Sequence, residues 1–195
     1  MKKRMSVSLF QLRSIAWYEV KLVKRNVAFI AFSAIILLLT VLFGTFVNRA
    51  VIPSSIILNV LSMLSPFLAA AVAIVAAERL HDVRRTHTSR VFRSRPVGNA
   101  EFVFGRFIGL LTVFMVLSFV VSFVTAIVIP VFGEDIPVVP VAHVFYPLAL
   151  ALPLCAFILG LSVLADVVFR NRAVAMDCLL SFIGFMVFSL DGSWH

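Results

Sequence analysis

Between Val27 and Val47 the chain runs for 21 residues without a charged side chain. A helix of that length measures roughly 31 Å at about 1.5 Å per residue, enough to cross the hydrocarbon core of a bilayer. Further apolar runs follow at 56–77, 107–129, 144–165 and 173–190, the last being the weakest. In hydrocarbon every backbone polar group must be satisfied within its own segment, so such runs fold as helices. The expected fold is an all-α integral membrane protein with about five transmembrane helices. Composition agrees, since 62% of the 195 residues are apolar and 13% charged, whereas a soluble domain is about half apolar and about a quarter charged.

Basic residues set the expected orientation. Of 17 Lys and Arg, seven precede position 27, seven lie between Glu78 and Arg106, and two fall in the turn 166–172. The opposite side holds only Arg49, with Glu134 and Asp135 nearby. Cytoplasmic segments carry the excess of Lys and Arg, so the N-terminus and the 78–106 loop are expected in the cytoplasm. Five crossings then leave the C-terminus outside. The net charge of +8 is concentrated beside apolar runs and fits a membrane surface and its lipids, not nucleic acid. No cleavable signal peptide is expected, because the first apolar run starts late and is too long for one.

Residues 1–26 form a separate unit. Leu9, Leu12, Ala16, Val20 and Val23 recur at helical spacing, with Gln11, Ser14, Tyr18, Lys21 and Arg25 opposite. Together with Trp17, this pattern predicts an amphipathic helix lying in the headgroup region. Residues 27–195 make up the transmembrane domain. Pro66 is expected to bend the second run, and Pro147 and Pro153 to interrupt the fourth. The small residues from Ala69 to Ala77 allow close helix approach, and Gly105-x-x-x-Gly109 with Ser118-x-x-x-Ser122-x-x-x-Ala126 marks a packing or dimer face.

The loop from Glu78 to Arg106 is the only long polar passage between two strongly apolar runs. Its 29 residues hold seven arginines and three acids. Glu78 to about Arg90 continues the preceding helix, with Asp82 placed to pair at helical spacing with Arg85 or Thr86. Arg95-Pro96 forces an extended step, Val97-Gly98-Asn99 reads as a turn, and Asn99 is a good N-cap with Glu101 in the first helical turn. A solvated loop that only sets topology remains the alternative on charge alone.

The order Glu78-Arg79-x-x-Asp82, Ser94-Arg95-Pro96-Val97 and Glu101-Phe102-x-x-Gly105-Arg106-Phe107-x-Gly109 resembles the first cytoplasmic loop of ABC-2 type transporter permeases. Residues Leu12 to Lys21 are similar to the amphipathic N-terminal helix of that family. The resemblance implies a permease subunit, an exporter of the bacterial cytoplasmic membrane, that pairs with a second permease subunit in a homo- or heterodimer. It also implies a separate P-loop ATPase docked on this loop. Glu78, Arg79, Asp82, Arg84, Arg85, Arg95, Pro96, Glu101, Gly105 and Arg106 would then belong to an ATPase-coupling loop, with no catalytic role. Two features depart from the family. Arg106 stands where many members carry Lys, and five runs appear where six are usual, as in the first part of a longer product or a member truncated after the fifth span.

Other chemistry finds little support in the residues. No G-x-x-x-x-G-K-[ST] occurs, so ATP binding falls to a partner. His81 and His87 sit on different faces of a helix, so no metal site is expected, and neither a catalytic set nor a cofactor is. Cys155 and Cys178 both lie in apolar runs and read as packing residues. Asp177 is the one acid well inside an apolar run and is the candidate intramembrane polar site, about 6 Å along its helix. It suits either a translocation path or an interfacial acid near Arg170 and Arg172. Two further functional readings stand beside the permease: a non-transporting membrane adaptor or anchor, and a proton-coupled secondary transporter using Asp177.

Overall fold

The computed structural model of the chain describes residues 9–47, 56–85, 99–132, 140–169 and 171–191. Among them are six helices and no strand: α1 (Leu9–Lys24), α2 (Val27–Val47), α3 (Ile56–Arg85), α4 (Asn99–Phe132), α5 (Pro140–Val168) and α6 (Arg172–Asp191). Each apolar run falls within one helix. Phe102–Val128 and Leu148–Val168 are individually long and apolar enough to cross a bilayer, and the bent pair Gln11–Lys24 and Val27–Phe43 makes a third if taken as one span. The chain is therefore all-helical, with two to three candidate membrane spans among its described residues.

The elbow between α1 and α2 has a local cause. Lys21 and Lys24 occupy the last turn of α1, where cations suit the negative end of the helix dipole. The backbone then tightens, with the Arg25 and Asn26 amides donating to the carbonyls of Leu22 and Val23 at 3.2 and 2.9 Å. Asn26 starts the next helix as its N-cap: its side-chain oxygen accepts from the Ala28 amide at 2.8 Å, and its carbonyl accepts from Ile30 at 3.1 Å. The helix axis bends by 70° between the two. Asn171 opens α6 the same way, accepting from the Ala173 amide on its side chain at 3.1 Å.

α1 buries Glu19, Val20 and Val23, while Ser14, Trp17, Tyr18, Lys21 and Arg25 are exposed, and Gln11 is only half-buried. The helix is amphipathic in the expected register. Its main partner is α4, at Gly105, Arg106 and Gly109, and it touches α2 only sparsely. α3 packs against α2, α5 and α6, whereas α4 packs against α1, α2 and α5, so α3 and α4 meet only sparsely.

Ala69, Ala71, Val72, Ala73, Val75, Ala76 and Ala77 fill the centre of the bundle from α3. These small side chains let neighbouring helices approach closely. The core continues through Leu110, Phe114 and Leu117 of α4 and Cys155, Ile158 and Leu159 of α5, with the Phe29 ring edge-on to Phe114 at 5.9 Å. Ser118 and Ser122 are buried within the chain, each donating to the carbonyl four residues back at 2.9 and 2.8 Å. Their stripe is thus a packing face inside this chain.

α3 includes Pro66 within one helix, and α5, expected to be interrupted, is continuous through Pro147 and Pro153. A proline removes one helical donor, and apolar helices packed on neighbours tolerate that loss. α4 begins at Asn99. Cys155 is buried, but Cys178 is exposed on α6 and is not a packing residue within this chain. Many large apolar side chains face outward, among them Phe104, Phe123, Phe157 and Phe185. An apolar exterior of that extent needs lipid or protein against it.

Candidate functional site

Where α1, α3 and α4 converge, the apolar packing gives way to a buried ion cluster. Glu19 stands on the inner face of α1, one residue before Val20, and is only 4% exposed. Arg106 of α4 donates from Nη2 to Glu19 Oε1 at 3.1 Å and from the same nitrogen to the Arg79 carbonyl of α3 at 2.7 Å. Arg79 donates from Nε to the same Glu19 oxygen at 3.4 Å, a longer and weaker contact. One carboxylate is therefore shared by two guanidinium groups drawn from the two ends of the 78–106 loop.

Arg106 is held on its other side by an aromatic ring. Its guanidinium carbon lies 5.6 Å from the Phe102 ring centroid, within cation–π range. Its Nε is buried with no hydrogen-bond partner among the described residues. Burying a charge is costly unless it is paired and hydrogen-bonded, so the cluster holds its geometry through Glu19.

Two glycines let α1 come this close. A Cβ on Gly105 would lie 2.8 Å from Ile15 Cγ2, and one on Gly109 would lie 2.8 Å from the Ala16 carbonyl oxygen and 2.9 Å from Glu19 Cβ. The Gly105-Arg106-x-x-Gly109 sequence thus has a direct physical meaning. The glycines seat the helix that carries Glu19, and the arginine between them grips that residue.

A second link reinforces the elbow. The Asn26 side-chain amide donates to Glu78 Oε2 at 3.1 Å, while the same side chain's oxygen caps α2. Asn26→Ala removes both bonds and is expected to destabilise the protein by about 2 kcal/mol, a cap of about 1 kcal/mol and a part-buried bond to a charged group. Asn26→Asp keeps the cap but sets two carboxylates together. It should fall between wild type and alanine in a detergent thermal-denaturation series.

Of the expected loop residues, Glu78, Arg79, Gly105 and Arg106 come together here. Asp82, Arg84 and Arg85 extend α3 and Glu101 lies in the first turn of α4, with their side chains outside the described residues. Arg95 and Pro96 lie wholly outside them, as does Arg170. Asp177 does not join the cluster and is exposed on α6. Glu19 and Asn26 were not expected at the site. Glu19 could have been found from its spacing, three residues after Ala16 and four before Val23, which puts an acid on the apolar stripe.

No protein-family model and no curated protein matches the chain. Function must therefore be read from the residues. The cluster offers no nucleophile or open coordination site, but a mechanical joint: both ends of one polar loop fastened to one amphipathic helix.

Proposed function

We propose that this chain is the transmembrane permease subunit of an ATP-driven transporter of the ABC-2 type, an exporter. α2 to α6 cross the membrane, α1 lies along the cytoplasmic headgroup layer, and the 78–106 loop docks on a separate P-loop ATPase. A second permease subunit completes the pathway.

The observation that carries the reading is the Glu19–Arg79–Arg106 cluster. A loop that only sets topology requires charge but no buried joint at its base. A loop that passes force from a partner requires rigid attachment at both ends. Here a push on the loop would reach α3 and α4 together and carry α1 with them. ATP hydrolysis stays on the partner.

Copurification from native membranes tests this. A P-loop ATPase should accompany the intact chain, and removing residues 84–98 should abolish transport while leaving membrane insertion intact. If no ATPase accompanies it, and the shortened protein supports the same transport, the coupling role fails and the adaptor reading takes its place.

A further inference from the structure

Beneath α1, between α2 and α4, lies an open groove of about 1100 Å³. α1 forms its roof through Leu12, Ala16 and Val20, and α2 supplies Phe29 and Ser33. The α4 wall extends from Ile108 to Val120, a rise of roughly 18 Å. That is slightly more than half of a hydrocarbon core about 30 Å thick. The groove is therefore about one leaflet deep and starts at the level of the amphipathic helix.

We propose that the groove binds one anionic phospholipid, its acyl chain against α4 and its headgroup beside the basic residues of α1. Three observations select that occupant. First, the wall formed by α2 and α4 is mostly apolar. The two hydroxyls on α2 and α4 donate within their own helices, Ser33 Oγ to the Phe29 carbonyl and Thr112 Oγ1 to the Ile108 carbonyl, both at 2.7 Å, and Ser14 lies on α1 beside the basic rim.

Second, the rim is basic. Arg13 and Lys24 both border the groove and are exposed, and no carboxylate among the described residues pairs with either. Lys24 also stands beside the N-terminus of α2, whose dipole favours an anion. Trp17, 61% exposed at the mouth, has the amphipathic character that suits the headgroup boundary.

Third, the roof selects against a spanning helix. Such a helix is about 10 Å across and must continue through the headgroup layer, where α1 crosses the groove. A lipid ends its acyl chain at that level and turns to its headgroup. The inference rests on the interfacial placement of α1 and is independent of coupling to an ATPase.

Trp17 is a built-in reporter. Trp194→Phe leaves it as the sole tryptophan of two, and the full chain is reconstituted in phosphatidylcholine vesicles. Phosphatidylglycerol with brominated acyl chains should quench it saturably, half-maximally at about fivefold lower mole fraction than brominated phosphatidylcholine. The factor corresponds to one basic contact at an anionic surface. Arg13→Gln with Lys24→Gln, both on the surface, should erase the headgroup preference. Thr112→Phe with Val116→Phe, both exposed positions in the groove, should remove the saturable component while helicity by circular dichroism stays unchanged.

Equal quenching by both lipids, linear in mole fraction, would mean bulk lipid contact only and overturn the proposal. So would saturable quenching that survives the filled groove. Disulfide dimers formed through Val116→Cys beyond those of the parent would put a second copy of the chain in the groove, and would also overturn it.

Discussion

Glu19→Gln is expected to destabilise the protein by about 3 kcal/mol, the lower end of the range for breaking a buried ion pair from one side. The substitution keeps the shape of the side chain and one acceptor oxygen, but removes the carboxylate that Arg79 and Arg106 share. Two guanidinium groups then face each other across a site from which water is largely excluded. Arg106→Met should cost less, because Glu19 keeps Arg79 as its partner and the methionine retains the packing of the arginine stem. The order of the two variants is the informative result. Thermal denaturation in detergent, with wild type beside each variant, reads it directly. If Arg106→Met proves the more damaging, the carboxylate is not the centre of the cluster.

The second large effect is expected at Gly109. A methyl group there would come within 2.8 Å of the Ala16 carbonyl oxygen and 3.2 Å of Ala16 Cα. Both are backbone atoms that cannot rotate away, so Gly109→Ala must lift α1 as a body. At Gly105 the nearest atoms belong to the Ile15 side chain at 2.8 and 2.9 Å, so part of the clash is relieved by that side chain shifting. Overpacking of this kind costs about 1–3 kcal/mol, with Gly109→Ala toward the top and Gly105→Ala below it. Lifting α1 also pulls Glu19 from Arg106. Reactivity of a Val20→Cys thiol, in a chain lacking Cys155 and Cys178, should rise sharply with Gly109→Ala and modestly with Gly105→Ala. Unchanged reactivity in both would show that α1 does not need these glycines.

Much of this architecture was legible from the chain because its punctuation is strong. The uncharged run from Val27 begins right after Asn26, and α2 starts there with Asn26 as its cap. The stripe of α1 could be read because 3.6-residue periodicity is local. The ion cluster could not be read that way, because Glu19 meets Arg79 and Arg106 across separations of 60 and 87 residues. Only the packing of three helices brings them together. The glycines of α4 were visible as a small-residue stripe, but their partner, α1, was not. Asp177 attracts notice in sequence because acids in apolar runs are rare, yet exposure on α6 keeps it apart from the cluster. Pro147 and Pro153 read as interruptions in the sequence, yet α5 is one helix through both, because packed neighbours compensate for a missing donor.

The central claim is that Glu19 and Arg106 act as one unit in fastening the loop to α1. A double-mutant cycle on stability, built from Glu19→Gln, Arg106→Met and the pair, tests it most directly. The account predicts that the double variant is more stable than the sum of the single losses implies, by about 2 kcal/mol, because with Arg106 gone the loss of the carboxylate no longer sets two guanidinium groups against each other. Losses that simply add would mean that the two side chains stabilise the protein independently, and would contradict the joint.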